Sequence, residues 1–146
     1  MTEQLFYRFI KLELTQFVTT ATDSVDDDNP AELSSSFKFG YNFDEEVVCC
    51  TTTIIITKES CQILRAELNS YFKLQPGSVA SISENDHVIL PTALMTQFAS
   101  LTYGSMRGVI YAKTMGTKLE KIVLPPNDIQ NIFTNPVKFQ RPLSGL

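Results

Sequence analysis

Tryptophan is absent from this sequence of 146 residues, histidine occurs once and cysteine three times. Each shortage excludes something. With His87 as the only histidine, a histidine-based metal cluster or a histidine-pair mechanism cannot be built. Any Cys–His or Ser–His arrangement would have to use that one side chain. An odd number of cysteines gives no disulfide framework. Cys49 and Cys50 are adjacent and would point to opposite faces of a strand, where cysteine is more often a small hydrophobe than a nucleophile. A reducing, cytoplasmic setting is expected. Twelve basic residues stand against sixteen acidic ones, for a formal charge of −4, and the basic ones are scattered. Phosphate binding needs them clustered, so no nucleic-acid partner is expected. No apolar run reaches the roughly 18 residues that would suggest a bilayer span. The start Met1-Thr2-Glu3-Gln4 lacks the basic and apolar regions of a secretory signal. Asp26, Asp27 and Asp28 lack the alternating ligands and central glycine of a calcium loop, and read as solvated. No metal, cofactor or enzymatic activity is expected.

What the sequence does carry is apolar and aromatic material: 43% hydrophobic residues, with ten Phe and five Tyr. The length suits one domain, residues 1–146. From Gln4 to Val18 the chain alternates, with Phe6, Arg8, Ile10, Leu12 and Leu14 on one face and Lys11, Glu13 and Thr15 on the other. Phe9 and Phe17 fall on the nominally polar side. Residues 19–35 read as a long polar crossover loop. Ser36 to Phe43 is a strand with one aromatic face, Phe37, Phe39, Tyr41 and Phe43. Val47 to Thr57 and Cys61 to Leu74 follow as strands, joined by short polar turns into an antiparallel meander. Gln75-Pro76-Gly77-Ser78 breaks the pattern.

Pro91 suits the first turn of a helix, and Leu94, Phe98, Leu101, Met106 and Val109 recur close to helical spacing. A helix is predicted from about Pro91 to about Lys113, with Gly116 beyond its end. Within it ride Ala99, Ser100, Gly104, Ser105 and Gly108. Two glycines inside a helix each cost about 0.8–1.0 kcal/mol against alanine, which suggests close approach by another backbone. Three readings stay open: a helix crossing its own sheet, contact between subunits, or simple drift. After a short extended piece at Leu119 to Leu124, Pro125 and Pro126 precede a short helix capped by Asn127 or Asp128 and holding Ile129, Ile132 and Phe133. The tail from Thr134 should run extended. The expected fold class is α+β: a four-stranded antiparallel sheet with a long helix and a short C-terminal helix packed on one face.

The I-L-P opening at Ile89 to Pro91, the Arg107-Gly108 pair late in the helix and the run L-P-P-N-D-I-Q-N-I-F from Leu124 resemble, in order and spacing, the C-terminal half of the SecB protein-export chaperones. Fifteen residues from Val109 to Val123 are extra relative to that family. The resemblance implies a cytoplasmic holdase that binds unfolded polypeptide clients in a hydrophobic groove without a cofactor. It further implies assembly as a homotetramer, a dimer of dimers with helices at the interface. Carried to this chain, Phe37, Phe39, Tyr41, Ile132 and Phe133 are the groove candidates. Ala99, Ser100, Gly104, Ser105 and Gly108 are the interface candidates. The ending K-F-Q-R-P-L-S-G-L, basic and apolar, argues against docking to the export motor that the family uses. Relatives of the fold also serve toxin–antitoxin systems. A non-chaperone interaction or small-ligand module on the same scaffold is the alternative.

Overall fold

A computed structural model describes residues 5–20, 30–126, 129 and 131–142. Four long strands form the main sheet: β1 (Tyr7–Thr19), β2 (Glu32–Asn42), β3 (Val47–Lys58) and β4 (Cys61–Leu74). Their spatial order is β1-β4-β3-β2, with every neighbouring pair antiparallel. Strands β2, β3 and β4 are the expected meander, whereas β1 and β2 lie at opposite edges. The chain must therefore cross the sheet between them, in the stretch read as a crossover loop, of which residues 21–29 lie outside the described residues.

Helix α1 (Pro76–Ile82) follows β4, then β5 (Ser83–Glu84), β6 (His87–Leu90), helix α2 (Thr92–Thr114) and β7 (Val137–Gln140). Alternation puts Val48, Cys50, Thr52, Ile54 and Ile56 of β3, with Leu64, Ala66, Leu68, Ser70, Phe72 and Leu74 of β4, on one buried face. Helix α2 lies across it. Phe98 stacks on Phe72 with centroids 4.0 Å apart, and Tyr7 meets Phe98 edge-on at 4.8 Å. Leu94, Met95, Ala99, Tyr103, Met106 and Ile110 complete the helical side of the core. Thr102 and Thr114 are tolerated there because each hydroxyl donates to the carbonyl four residues back, of Phe98 (2.7 Å) and Ile110 (2.8 Å). The opposite face of the sheet is polar, with Lys11 and Glu13 paired at 3.2 Å and the Tyr71 hydroxyl donating to Glu13 Oε1.

Strand β1 departs from simple alternation. Its register against β4 slips between Phe9 and Lys11 and again between Leu14 and Gln16. Each slip inserts one residue and reverses which side chains point inward. Tyr7, Phe9, Leu12, Leu14 and Phe17 consequently stand opposite the inward-facing Leu74, Phe72, Ser70, Leu68 and Ala66. The expectation that Phe9 and Phe17 share the polar face is corrected: Phe9 meets Phe72 edge-on at 5.2 Å.

The second helix is also placed differently. The break at Gln75–Ser78 is the start of α1, with Pro76 in its first turn. Of the helix expected near Phe133, Asn127, Asp128 and Gln130 lie outside the described residues, and the rest is a single turn in which the Ile132 N–H donates to the Ile129 carbonyl at 3.2 Å. No strand occurs at Leu119–Leu124 among the described residues. Leu119 and Leu124 are instead buried, pinning the connector to the core. The tail does run extended, and as β7 it pairs with β6 in a second, three-stranded sheet of order β5-β6-β7.

Candidate functional site

On β2, Phe37, Phe39 and Tyr41 stand in register with Thr52, Cys50 and Val48, so all three rings face the helix side. That side is roofed by α2 mainly over β3 and β4, and the edge position of β2 leaves its rings half-buried. Their remaining cover comes from the C-terminal region. Phe133 meets Phe39 at 5.4 Å and Phe37 at 5.9 Å, both edge-on. Tyr103 of α2 lies 6.5 Å from Phe37, and Phe139 of β7 stacks on Tyr41 at 5.7 Å. Three of the five groove candidates, Phe37, Phe39 and Phe133, thus share one aromatic cluster, and Tyr41 belongs to the next one along β2, with Phe43 and Phe139. Ile132 stands beside Phe133 with 46% of its surface exposed.

The connector is held in place by polar contacts to α2. The Tyr103 hydroxyl donates to the Pro125 carbonyl at 2.7 Å, and Arg107 Nε donates to the Leu124 carbonyl at 3.0 Å. These bonds position the segment that carries Phe133. Burial pushes the Tyr103 and Tyr41 hydroxyls above their ordinary range; for Tyr41 the Glu46 carboxylate adds to the rise and Arg141 opposes it. Tyr103, Phe43 and Phe139 were not singled out from sequence as part of these clusters. For two of them a signal existed: Phe43 continues the alternation of Phe37, Phe39 and Tyr41, and Phe139 alternates with Val137.

The small-residue stripe divides. Ala99 is fully buried against the chain's own sheet, so it cannot belong to an interface between subunits. Ser100, Gly104 and Gly108 face outward, and Ser105 is half-buried with its hydroxyl donating to the Leu101 carbonyl. A Cβ placed at Gly104 or Gly108 would meet nothing within 4 Å. Crossing its own sheet therefore accounts for Ala99 and not for the glycines. These open instead onto a cavity of about 290 Å³ between α2 and the connector, walled by Tyr111, Ile122 and Val123.

A further apolar strip, not anticipated, lies at the other edge, where Phe9, Ile10 and Leu12 of β1 and Leu101 of α2 are exposed. The two slips in β1 concealed it from a period-two reading. Cys50 is buried, and burial pushes its thiol up to about 12; Cys49 is raised in the same direction, while Cys61 is exposed. A thiol that keeps its proton only when folded stabilises the fold below the unfolded pKa, and that contribution fades as pH rises from about 9 towards about 12. Denaturant titrations at increasing pH should show falling stability over that window, with a shallower fall in Cys50→Ala. A thiol reagent at neutral pH should modify Cys61 alone until the chain unfolds. His87 sits half-buried on β6. Among the described residues no group of three or more His, Cys, Asp and Glu side chains could hold a metal ion, and no helix is long and apolar enough to cross a membrane.

Among solved structures, the SecB-like chaperone Rv1957 of Mycobacterium tuberculosis, in complex with a ChAD peptide from the Rv1956 HigA1 antitoxin, matches over 84% of this chain and 88% of its own, with a TM-score of 0.58 and 8% sequence identity. The fold is SecB-like. A protein of unknown function from Streptococcus agalactiae aligns over 84% of this chain and 99% of its own at a TM-score of 0.42, also with 8% identity. No family model and no curated protein matches the sequence. At this identity the likeness to the chaperone concerns architecture, and the site must be argued from this chain's own residues.

Proposed function

We propose that this protein is a holdase, a chaperone that binds extended, non-native polypeptide in the trough formed by Phe37, Phe39, Tyr41, Ile132 and Phe133. The observation that carries this reading is a row of aromatic rings on an edge strand, covered only in part. Rings there can be buried further by a guest, at about half of the roughly 1.5–3 kcal/mol that full burial of such a side chain contributes. Among the described residues β2 is an edge strand, and such an edge can add backbone hydrogen bonds that do not depend on guest sequence. Ordering an unfolded segment offsets much of that gain, so broad, moderate affinity is expected. The peptide-bound state of the SecB-like neighbour supports a polypeptide as the guest. The setting proposed is the cytoplasm, with neither nucleotide nor export motor required. The test is suppression of aggregation of an unrelated denatured protein at stoichiometric ratio; absence of suppression overturns the reading.

A dimer of dimers needs two different contacts, and two uncovered surfaces are available. One is the outer face of α2 around Ser100, Gly104, Ser105 and Gly108, where backbones could approach closely. The other is the β1 edge. Antiparallel pairing of β1 with a second copy about Leu12 would set Lys11 opposite Glu13 and Phe6 opposite Val18, like with like in polarity and unlike in charge. Leu12→Lys would place like charges at the centre of that pairing. It should reduce the particle size measured by light scattering at micromolar concentration; a wild-type chain that is already monomeric there refutes the assembly.

A further inference from the structure

Beyond Tyr41 the main sheet, α1, the β5–β6 turn and the segment after β7 line a half-open cavity of about 120 Å³. Its apolar side is made by Tyr41, Phe43, Val79 and Val88. Its polar side carries charges of both signs: Glu46 from the β2–β3 turn, Asp86 from the β5–β6 turn, and Arg141. The backbone fixes these positions. The Asp86 carbonyl accepts from the Arg141 N–H at 2.8 Å, and the Glu46 carbonyl accepts from the Leu74 N–H at 3.1 Å. The Arg141 guanidinium lies over the Phe43 ring, 5.2 Å from its centroid. Among the described residues it forms no ion pair with either carboxylate. A guanidinium held over a ring still has N–H groups able to take a carboxylate in two parallel hydrogen bonds.

The volume is far below the roughly 300–1,000 Å³ of pockets for drug-sized ligands. Its enclosed part therefore takes only a few heavy atoms. A simple anion would meet two carboxylates, and a simple cation would meet the guanidinium. We propose that this cavity binds a small zwitterion, an α-amino acid with a short aliphatic side chain. Its carboxylate pairs with Arg141, its ammonium group with Glu46 and Asp86, and its side chain lies on Phe43, Val79 and Val88. The site shares Tyr41 with the trough but none of its other residues, and it does not depend on chaperone activity.

Calorimetric titration of the full chain with L-valine, N-acetyl-L-valine and L-valinamide tests it. Valine should bind, and each blocked analogue should bind about tenfold or more weakly, since each loses one charge-assisted contact. Arg141→Gln should weaken valine to a similar degree without further weakening valinamide. The pair Glu46→Gln and Asp86→Asn should do the same for valine and spare N-acetylvaline. No binding of valine at millimolar concentration, or equal binding of all three compounds, overturns the proposal. Should a variant fail to fold, the three compounds on the unaltered chain still decide. Phe37, Phe39, Ile132 and Phe133 are untouched throughout, so the aggregation assay reports on the trough separately.

Discussion

Replacing Phe37 and Phe133 together by serine should weaken binding of a denatured client at least about tenfold and leave the chain folded. Both rings are half-buried, and they touch each other at 5.9 Å, on the rim of the structure rather than under α2. Their removal takes away two rings that a guest would cover, each contributing about half of the roughly 1.5–3 kcal/mol of full burial, where about 1.4 kcal/mol is tenfold in affinity. Because the rings share one contact, the double variant should lose less than the sum of the single ones. The measurement pairs fluorescence anisotropy of a labelled unfolded protein with far-UV circular dichroism and thermal unfolding of the variant. Lost binding with a preserved unfolding transition supports the trough. A collapsed transition would show that the two rings serve the core, and the holdase reading would lose its site.

The second large effect is a loss of stability. Phe98 is fully buried, stacked 4.0 Å from Phe72 and touched edge-on by Tyr7. Phe98→Ala leaves a cavity at the contact between α2 and the sheet, and such truncations cost about 3–5 kcal/mol. A domain of this size has about 5–15 kcal/mol in total. The melting temperature should fall by on the order of 10 °C or more, and denaturant midpoints should shift in proportion. A shift within the range of a surface substitution, about 0.5 kcal/mol, would mean that α2 does not seal the sheet as described. Comparison of the two variants separates rings that hold the fold from rings left for a guest.

The aromatic face of β2 and the meander of β2, β3 and β4 were legible because β2 alternates without a break, β3 is dense in β-branched residues, β4 alternates beyond one irregularity beside its first turn, and short turns leave one simple pairing. The turn at Glu59 and Ser60, both at positive φ, joins β3 to β4 with two residues, as the polar Lys58-Glu59-Ser60 suggested. Helix α2 was legible from Pro91 and the recurrence of Leu94, Phe98 and Met106, to within a residue or so of its ends. Strand β1 was not, since an inserted residue at each slip reverses the faces, and a period-two count runs straight through both. Helix α1 was missed because Pro76 and Gly77 read locally as a break; proline in a first turn is compatible with either outcome until the following residues find a packing partner. The second sheet was missed because His87–Leu90 and Val137–Gln140 are far apart in sequence, and neither is long enough to declare its partner.

The amino-acid order by itself determined the class of fold, the long helix and which face of β2 carries its rings, because each follows from spacing along one element. Only the folded chain decided what those rings touch, that Ala99 is sealed while Gly104 and Gly108 look outward, and that Glu46, Asp86 and Arg141 surround one small cavity. These outcomes depend on how far α2 reaches across the sheet and on where the tail docks, and both are settled by contacts between residues distant in the chain.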